Sequence, residues 1–358
     1  DSPSGAYTYS FTNPGAVQAF QIEATGGSAA VASTFSTTLY TGNATSQTIT
    51  NGLDLSTDGG LVWIKRRDGS ASHALMDTER GVQRLLSSDT SDVQALTSCV
   101  PAFNTDGFDL GSSGLVNEGA WTYVSWAFKK QAKFFDIVTY TGTGAAGLNV
   151  SHSLGSIPGM IIIKRTDSAA NWPVYHKGLN GGTNPEQYGF KLNQTGAQSD
   201  NTTYWNDTAP TDTQFTLGTT GLVNTAGGTY IAYIFAHDTA SDGLIQCGSY
   251  TGTGSYSSPP VVNLGWSPSW IMIKRADSTS SWQIYDTTRG ATQDSSSYLR
   301  PDQNQAEQTY TGGYVGFYPT STGFSLSIDG SEGNASGGTY IYMAIRSAAA
   351  LALTWPTS

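Results

Sequence analysis

Charge is scarce in this sequence. Asp, Glu, Lys and Arg make up 12% of its 358 residues, about half the usual share. Amphipathic helices clothe their wet face in Lys, Glu and Arg, so a helical protein is excluded. Lys and Arg number 17 against 27 Asp and Glu, a net charge of -10. The basic residues are mostly isolated, which excludes the basic stripe of a nucleic-acid binder. Only two cysteines occur, Cys99 and Cys247. They provide neither a disulfide framework nor a zinc spacing, and they read as two buried free thiols. The four histidines, His73, His152, His176 and His237, show no ligand spacing, and no oxygen-rich loop resembles a calcium-binding hand. No apolar run approaches the roughly 18 residues of a membrane span. The expectation is no metal, no cofactor and no membrane insertion. The sequence begins at Asp1 rather than Met, and the expectation is a longer precursor or an omitted N-terminal region, with no signal peptide in the residues given.

What is present is Thr, Ser, Gly, Tyr and Trp, with hydrophobic residues in short runs. That composition suits strands whose wet face is hydroxyl and amide. The runs recur. Tyr-Thr-Gly triplets stand at Tyr40–Gly42, Tyr140–Gly142 and Tyr250–Gly252. Each precedes an apolar run ending in Lys-Arg, at Lys65-Arg66, Lys164-Arg165 and Lys274-Arg275, with an Asp soon after (Asp68, Asp167, Asp277). Later an Asn precedes a Tyr by six residues in all three copies: Asn117 and Tyr123, Asn224 and Tyr230, Asn334 and Tyr340. Agreement of several motifs in spacing marks an internal repeat.

Each apolar run predicts a buried strand. The Asp after it predicts a turn closed by its side chain on the backbone, and the return strands begin at Trp172 and Trp282. The Asn–x–x–Gly segments predict tight turns in which Asn and Gly accept positive φ. Each final Tyr opens an alternating strand, with one face in the core and the other wet or packed on a neighbour. The expected fold is all-β, three tandem β-sandwich repeats of jelly-roll or lectin-like type. The copies span 35–130, 134–237 and 245–347, with an arm or linker at 1–34 and a tail at 348–358. A strand is expected over Ala6–Phe11, and the tail would dock through Leu351, Leu353 and Trp355.

These strings resemble a repeat of bacteriophage tail-fibre and other virion structural proteins, notably those of marine and cyanobacterial phages. The resemblance rests on Tyr-Thr-Gly-Thr-Gly, Ile-Ile-Lys-Arg, Trp-x-x-Tyr-His and Gly-Gly-Thr-Tyr-Ile-Ala-Tyr. In the first copy it rests on Gly59–Lys65 and Asp77-Thr-Glu-Arg80-Gly81. It implies a virion component, a tail-fibre or appendage segment that assembles with other virion proteins and with itself, a trimer being the usual state of a fibre. The implied location is the virion surface, extracellular. No catalytic residue carries over. Alternatives are an adhesin that binds host surface polysaccharide and a capsid-surface decoration.

A glycosidase would need two carboxyl groups about 5–10 Å apart in a cleft. The best candidates, Asp77 with Glu79 and Asp286, sit in an Asp-Thr-x-Arg-Gly context that reads as a salt-bridged turn. The middle copy has Tyr175-His176-Lys177-Gly178 there instead. The chain is therefore read as non-enzymatic. The Gly-x-Gly pairs at Gly142 and Gly252 precede no helix, so they do not read as phosphate loops. Aromatics shared by the copies serve the fold. Those confined to the divergent stretches 82–102, 178–211 and 290–316 are the ligand candidates: Tyr188, Tyr204 and Trp205 in the second copy, and Tyr298, Tyr310 and Tyr314 in the third. Lys65, Arg66, Lys164, Arg165, Lys274 and Arg275 are expected to make ion pairs or hydrogen bonds at copy boundaries.

Overall fold

The computed structural model describes residues 31–348, apart from 293–294, 312–314 and 328–329. The expected strand at Ala6–Phe11, the tail contacts of Leu351, Leu353 and Trp355, and Tyr314 lie outside the described residues.

The described chain is all-β, in several antiparallel sheets. Three sheets repeat one strand order. In the first segment an opening strand (Phe35–Thr41) pairs with a closing strand (Thr122–Lys129). The closing strand pairs with a central strand (Gly60–Arg66), and that with a return strand (Ala74–Asp77). The second segment repeats this with Phe135–Thr141, Thr229–Ala236, Pro158–Arg165 and Pro173–His176. The third uses Ile245–Thr251, Thr339–Arg346, Pro268–Arg275 and Gln283–Asp286. Register repeats with order: Tyr40 lies opposite Tyr123, Tyr140 opposite Tyr230, and Tyr250 opposite Tyr340. The paired rings stack at 5.1, 5.0 and 5.0 Å.

The Tyr-Thr-Gly triplet has a local cause. A Cβ on Gly42, Gly142 or Gly252 would collide with the carbonyl of Glu118, Thr225 or Ala335, so only glycine lets the two chain segments approach. The Asn of each closing motif acts differently from expectation. Asn117, Asn224 and Asn334 are fully buried, and none has positive φ. Each Oδ1 instead accepts the backbone N–H after the triplet glycine, from Asn43, Thr143 and Thr253, at 2.9, 2.7 and 2.6 Å. The positive φ falls on Gly227 (+72°) and Gly337 (+70°), and in the first segment on Ala120 (+66°).

Alternation on the strands explains why the apolar runs are continuous. In the first segment Leu61 and Trp63 enter a central hydrophobic cluster, whereas Val62 and Ile64 enter a local one with Ile49, Phe108 and Leu110. In the third segment Trp270 and Met272 point to the central cluster, and Ile271 and Ile273 to a local one with Val262 and Phe324. Successive side chains point to opposite faces, so a strand covered on both sides must be apolar throughout. The local clusters include residues of smaller sheets, Gln47–Thr50 with Gly107–Leu110 and Ala102–Asn104, and Val261–Asn263 with Gly323–Ser327 and Val315–Thr320. The central cluster draws on all three segments. Phe128 meets Phe235 of the second at 5.6 Å and Trp270 of the third at 5.9 Å. Burying one such ring contributes about 2 kcal/mol.

Candidate functional site

The three segments meet at seams built from the same atoms in cyclic order. The turn after each central strand donates a backbone N–H to a loop of the preceding segment. Ala71 donates to the Asn304 carbonyl at 2.8 Å, Ala170 to Ser91 at 2.8 Å, and Ser280 to Thr195 at 2.9 Å. The same loops donate back, from Glu307 to the Arg67 carbonyl, from Gln94 to Thr166 and from Gln198 to Ala276, at 2.8, 3.2 and 2.9 Å. The first segment therefore bonds to the third, the second to the first and the third to the second. The ring closes within one chain.

Side chains reinforce the ring at two further positions. At the start of the return strand, Trp172 Nε1 donates to the Thr90 carbonyl at 2.9 Å and Trp282 Nε1 to Lys191 at 3.3 Å. The first segment has His73 there. Its Nδ1 accepts from Trp63 Nε1 at 2.9 Å, so Nε2 carries the proton, and it lies 2.9 Å from the Arg300 carbonyl. An imidazole thus does the work of an indole. At the end of the return strand the reach is forward. Asp77 accepts from Tyr233 Oη at 2.7 Å, and Asp286 accepts from Trp126 Nε1 at 2.9 Å. His176 Nε2 lies 2.9 Å from the Tyr342 carbonyl, while its Nδ1 accepts from Gly178 N–H at 3.0 Å. Burial holds His176 neutral, its pKa lowered to about 3, and pushes His73 well below 6.5.

These contacts account for the acidic motif. Asp77 and Asp286 are fully buried and paired with Arg80 and Arg289 at 2.6 and 2.5 Å. Glu79 pairs outward with Lys130 at 2.6 Å. Two carboxylates facing one cleft do not arise from this motif; it makes salt-bridged turns that grip the next segment.

The Lys-Arg pairs divide into two roles. Lys65, Lys164 and Lys274 are fully buried. Lys164 Nζ crosses its seam to the Ser91 carbonyl and Lys274 Nζ to Thr195, each at 3.2 Å. Lys65 Nζ bonds the Arg66 carbonyl at 2.8 Å. Loss of hydration lowers all three to about 8. The arginines stay local: Arg66, Arg165 and Arg275 pair with Asp68, Asp167 and Asp277 at 2.7, 2.7 and 2.8 Å. The Asp expected to close a turn on its own backbone therefore turns back to the preceding arginine. The first seam-crossing arginine is Arg67, which meets Glu307 of the third segment at 2.8 Å.

The divergent stretches place the aromatic candidates in different settings. Tyr204 and Trp205 are 3% and 2% exposed, with Trp205 edge-on to Tyr175, so neither offers a free ring face. Tyr188 is half-buried beside them. A polar cavity of about 280 Å³ borders this region, lined by Thr202, Thr203, Asn206 and Asp207 among others. In the third segment Tyr298 is buried as well, at 5% exposure, and stacks at 4.7 Å on Tyr310, which is half-buried. Arg300 lies 5.2 Å over the Tyr298 ring and pairs with Glu332 at 2.8 Å. Glu332 also accepts from Tyr310 Oη at 3.1 Å, and Gln308 accepts from Tyr298 Oη at 2.6 Å. Of the polar partners around this pair, Arg300 and Gln308 lie in the same divergent stretch as the tyrosines, whereas Glu332 comes from a separate stretch that spacing does not connect to it. Cys99 and Cys247 are free and buried.

No helix among the described residues is long and apolar enough to cross a membrane. No curated protein matches the chain. A family model described as a domain of unknown function (DUF7483) matches residues 31–348, a span that takes in all three segments and every seam as one unit. The chain belongs to that family, DUF7483.

Proposed function

We propose that the chain is a virion structural protein, a rigid segment of a phage tail fibre or appendage, built as three tandem β-sandwich repeats closed into a ring. One observation carries the reading. The same pair of backbone hydrogen bonds recurs at all three seams, so the buried surface joins segment to segment and leaves the outer loops to differ. Such a body suits holding a position and presenting loops. The seam bonds form inside one chain, which leaves the outer surface for assembly with other virion proteins and with like chains, a trimer included. The resemblance of the repeat strings to phage virion proteins points the same way. The test is location. Labelled antibody against this chain should decorate intact virions at the tail, and labelling confined to the capsid would favour the decoration role. Absence of the chain from purified virions would overturn the reading.

A second reading, an adhesin for host polysaccharide, is favoured by half-buried Tyr310, which buried Tyr298 backs, with Glu332 and exposed Gln308 beside it. Aromatic faces beside amides and charged groups suit a sugar ring. A glycan array with intact protein and Tyr310→Ala tests it: binding lost in the variant supports the adhesin, and no binding to any glycan removes it.

A further inference from the structure

The seam between the third and first segments differs from the other two. Its lysine, Lys65, bonds its own neighbour's carbonyl and leaves the seam uncrossed by a lysine, whereas Lys164 and Lys274 cross theirs. At this seam lies a cavity of about 430 Å³, lined by Ser72, Asp89 and Thr90 on one side and by Asp302, Gln303 and Asn304 on the other.

Asp89, Asn193 and Asp302 occupy one position of the repeat, two residues before the seam acceptors Ser91, Thr195 and Asn304. In the first segment Asp89 accepts from His73 N–H at 2.9 Å, and in the second Asn193 accepts from Trp172 N–H at 3.1 Å. Asp302 is 8% exposed, and among the described residues no donor meets either of its carboxylate oxygens with full hydrogen-bond geometry. Beside it, Gln303 donates through Nε2 to Ser281 Oγ at 2.8 Å, and its buried Oε1 has no partner among the described residues. The nearby ammonium of Lys274 is held by the Thr195 and Arg275 carbonyls. Two neighbouring residues of this loop thus keep buried side-chain oxygens without a well-formed hydrogen bond, with Ser281, Lys274 and Arg300 as the polar and charged groups that act on Asp302. Burying such groups is costly unless a proton or a cation meets them.

We propose that this cavity is a calcium site, with Asp302 and Gln303 as protein ligands from the third segment and Asp89 as the second carboxylate from the first. Calcium accepts six to eight oxygens in irregular geometry, including carboxylates, amide carbonyls and water. A mixed set on two loops fits that tolerance better than the strict octahedron of magnesium. Two carboxylates balance the charge of one divalent ion. The ion ties the last segment to the first, at the seam that lacks a lysine bridge.

The test uses the intact chain, stripped with chelator. Calorimetric titration with calcium chloride at pH 7.5 should show one equivalent bound, and added calcium should raise the melting temperature. Asp302→Asn keeps the shape of the side chain and removes its charge. It should bind at least tenfold more weakly, with a calcium-free melting temperature no lower than that of the parent. Asp89→Asn should weaken binding as well. No heat of binding in the parent, or an unchanged calcium response in Asp302→Asn, would overturn the site. So would an equal melting shift with magnesium at matched ionic strength.

Discussion

Two of the three seams are gripped by a buried ion pair and one by a neutral ring. Asp77 with Arg80 and Asp286 with Arg289 hold the first-to-second and third-to-first seams, and His176 holds the second-to-third. All three side chains end the return strand and reach the closing strand of the next segment. The position is kept for where it points, and the chemistry that fills it varies. The Asp must bring an Arg because a lone buried carboxylate is costly. The His needs no counter-ion, because a neutral imidazole offers one donor and one acceptor, and Tyr342 and Gly178 use both.

The contrast can be broken by substitution. Asp286→Ala leaves the Arg289 guanidinium buried without its carboxylate and should cost about 3–5 kcal/mol. His176→Ala removes neutral hydrogen bonds and should cost about 1–3 kcal/mol. Urea unfolding of the two variants compares them directly, and a larger loss for His176→Ala would break the distinction between the seams.

Acidity sharpens the comparison next. Burial depresses His73 and His176 in the folded chain below the ordinary 6.5. The unfolded chain therefore binds more protons below that pH, and stability present above pH 6.5 is lost as pH falls toward about 3. Asp302, raised to about 6, acts in the opposite sense between about 6 and 4, because there the folded state holds the extra proton. His176→Gln should flatten the loss below pH 6.5 in a series of melting curves; an unchanged slope would show that the imidazole is not the group responsible.

Lysine has the same sign in an alkaline window. Lys65, Lys164 and Lys274 are lowered from 10.5 to about 8, so stability should rise as pH increases from about 8. Above pH 10 the buried tyrosines oppose this trend. Tyr140, Tyr233 and Tyr250 are raised well above 10 by burial, and the unfolded chain ionises first. Lys164→Met should reduce the rise between pH 8 and 10, and a melting curve as steep as the parent's would rule the lysine out as its source.

The smallest expected effect concerns Ala120, at φ +66° where the other segments have Gly227 and Gly337. An L-residue there costs about 1–2 kcal/mol, partly offset in the unfolded chain by the freedom of glycine. Ala120→Gly should therefore stabilise by about 0.5 kcal/mol, read as a small rise in the urea midpoint. A loss of stability would mean that the Ala120 methyl makes a contact worth more than its strain.

Much of the strand framework was legible because the repeat supplies three readings of each element. The Tyr-Thr-Gly triplets, the Lys-Arg ends and the closing tyrosines fall on opening, central and closing strands in all segments. Less legible was what each residue does there. Asn224 looked like a turn residue because Asn tolerates positive φ, yet its amide ties the triplet loop in place. His73 could not be matched to Trp172 and Trp282 by residue type, since the shared property is one ring N–H aimed at a neighbour's carbonyl. Trp205 looked free to stack on a ligand because it is unique to its segment, and it is buried against Tyr175. Seam partners such as Ala71 and Asn304 lie far apart in sequence, and spacing alone does not say which carbonyl faces which N–H.

Ring closure is tested most directly by hydrogen exchange on the intact chain, followed at the three equivalent amides of Ala71, Ala170 and Ser280. A closed ring predicts that Ala71, which joins the first segment to the third, is protected as strongly as the other two. Exchange of Ala71 at the rate of an open loop, with Ala170 and Ser280 still protected, would contradict it and leave a row of three segments.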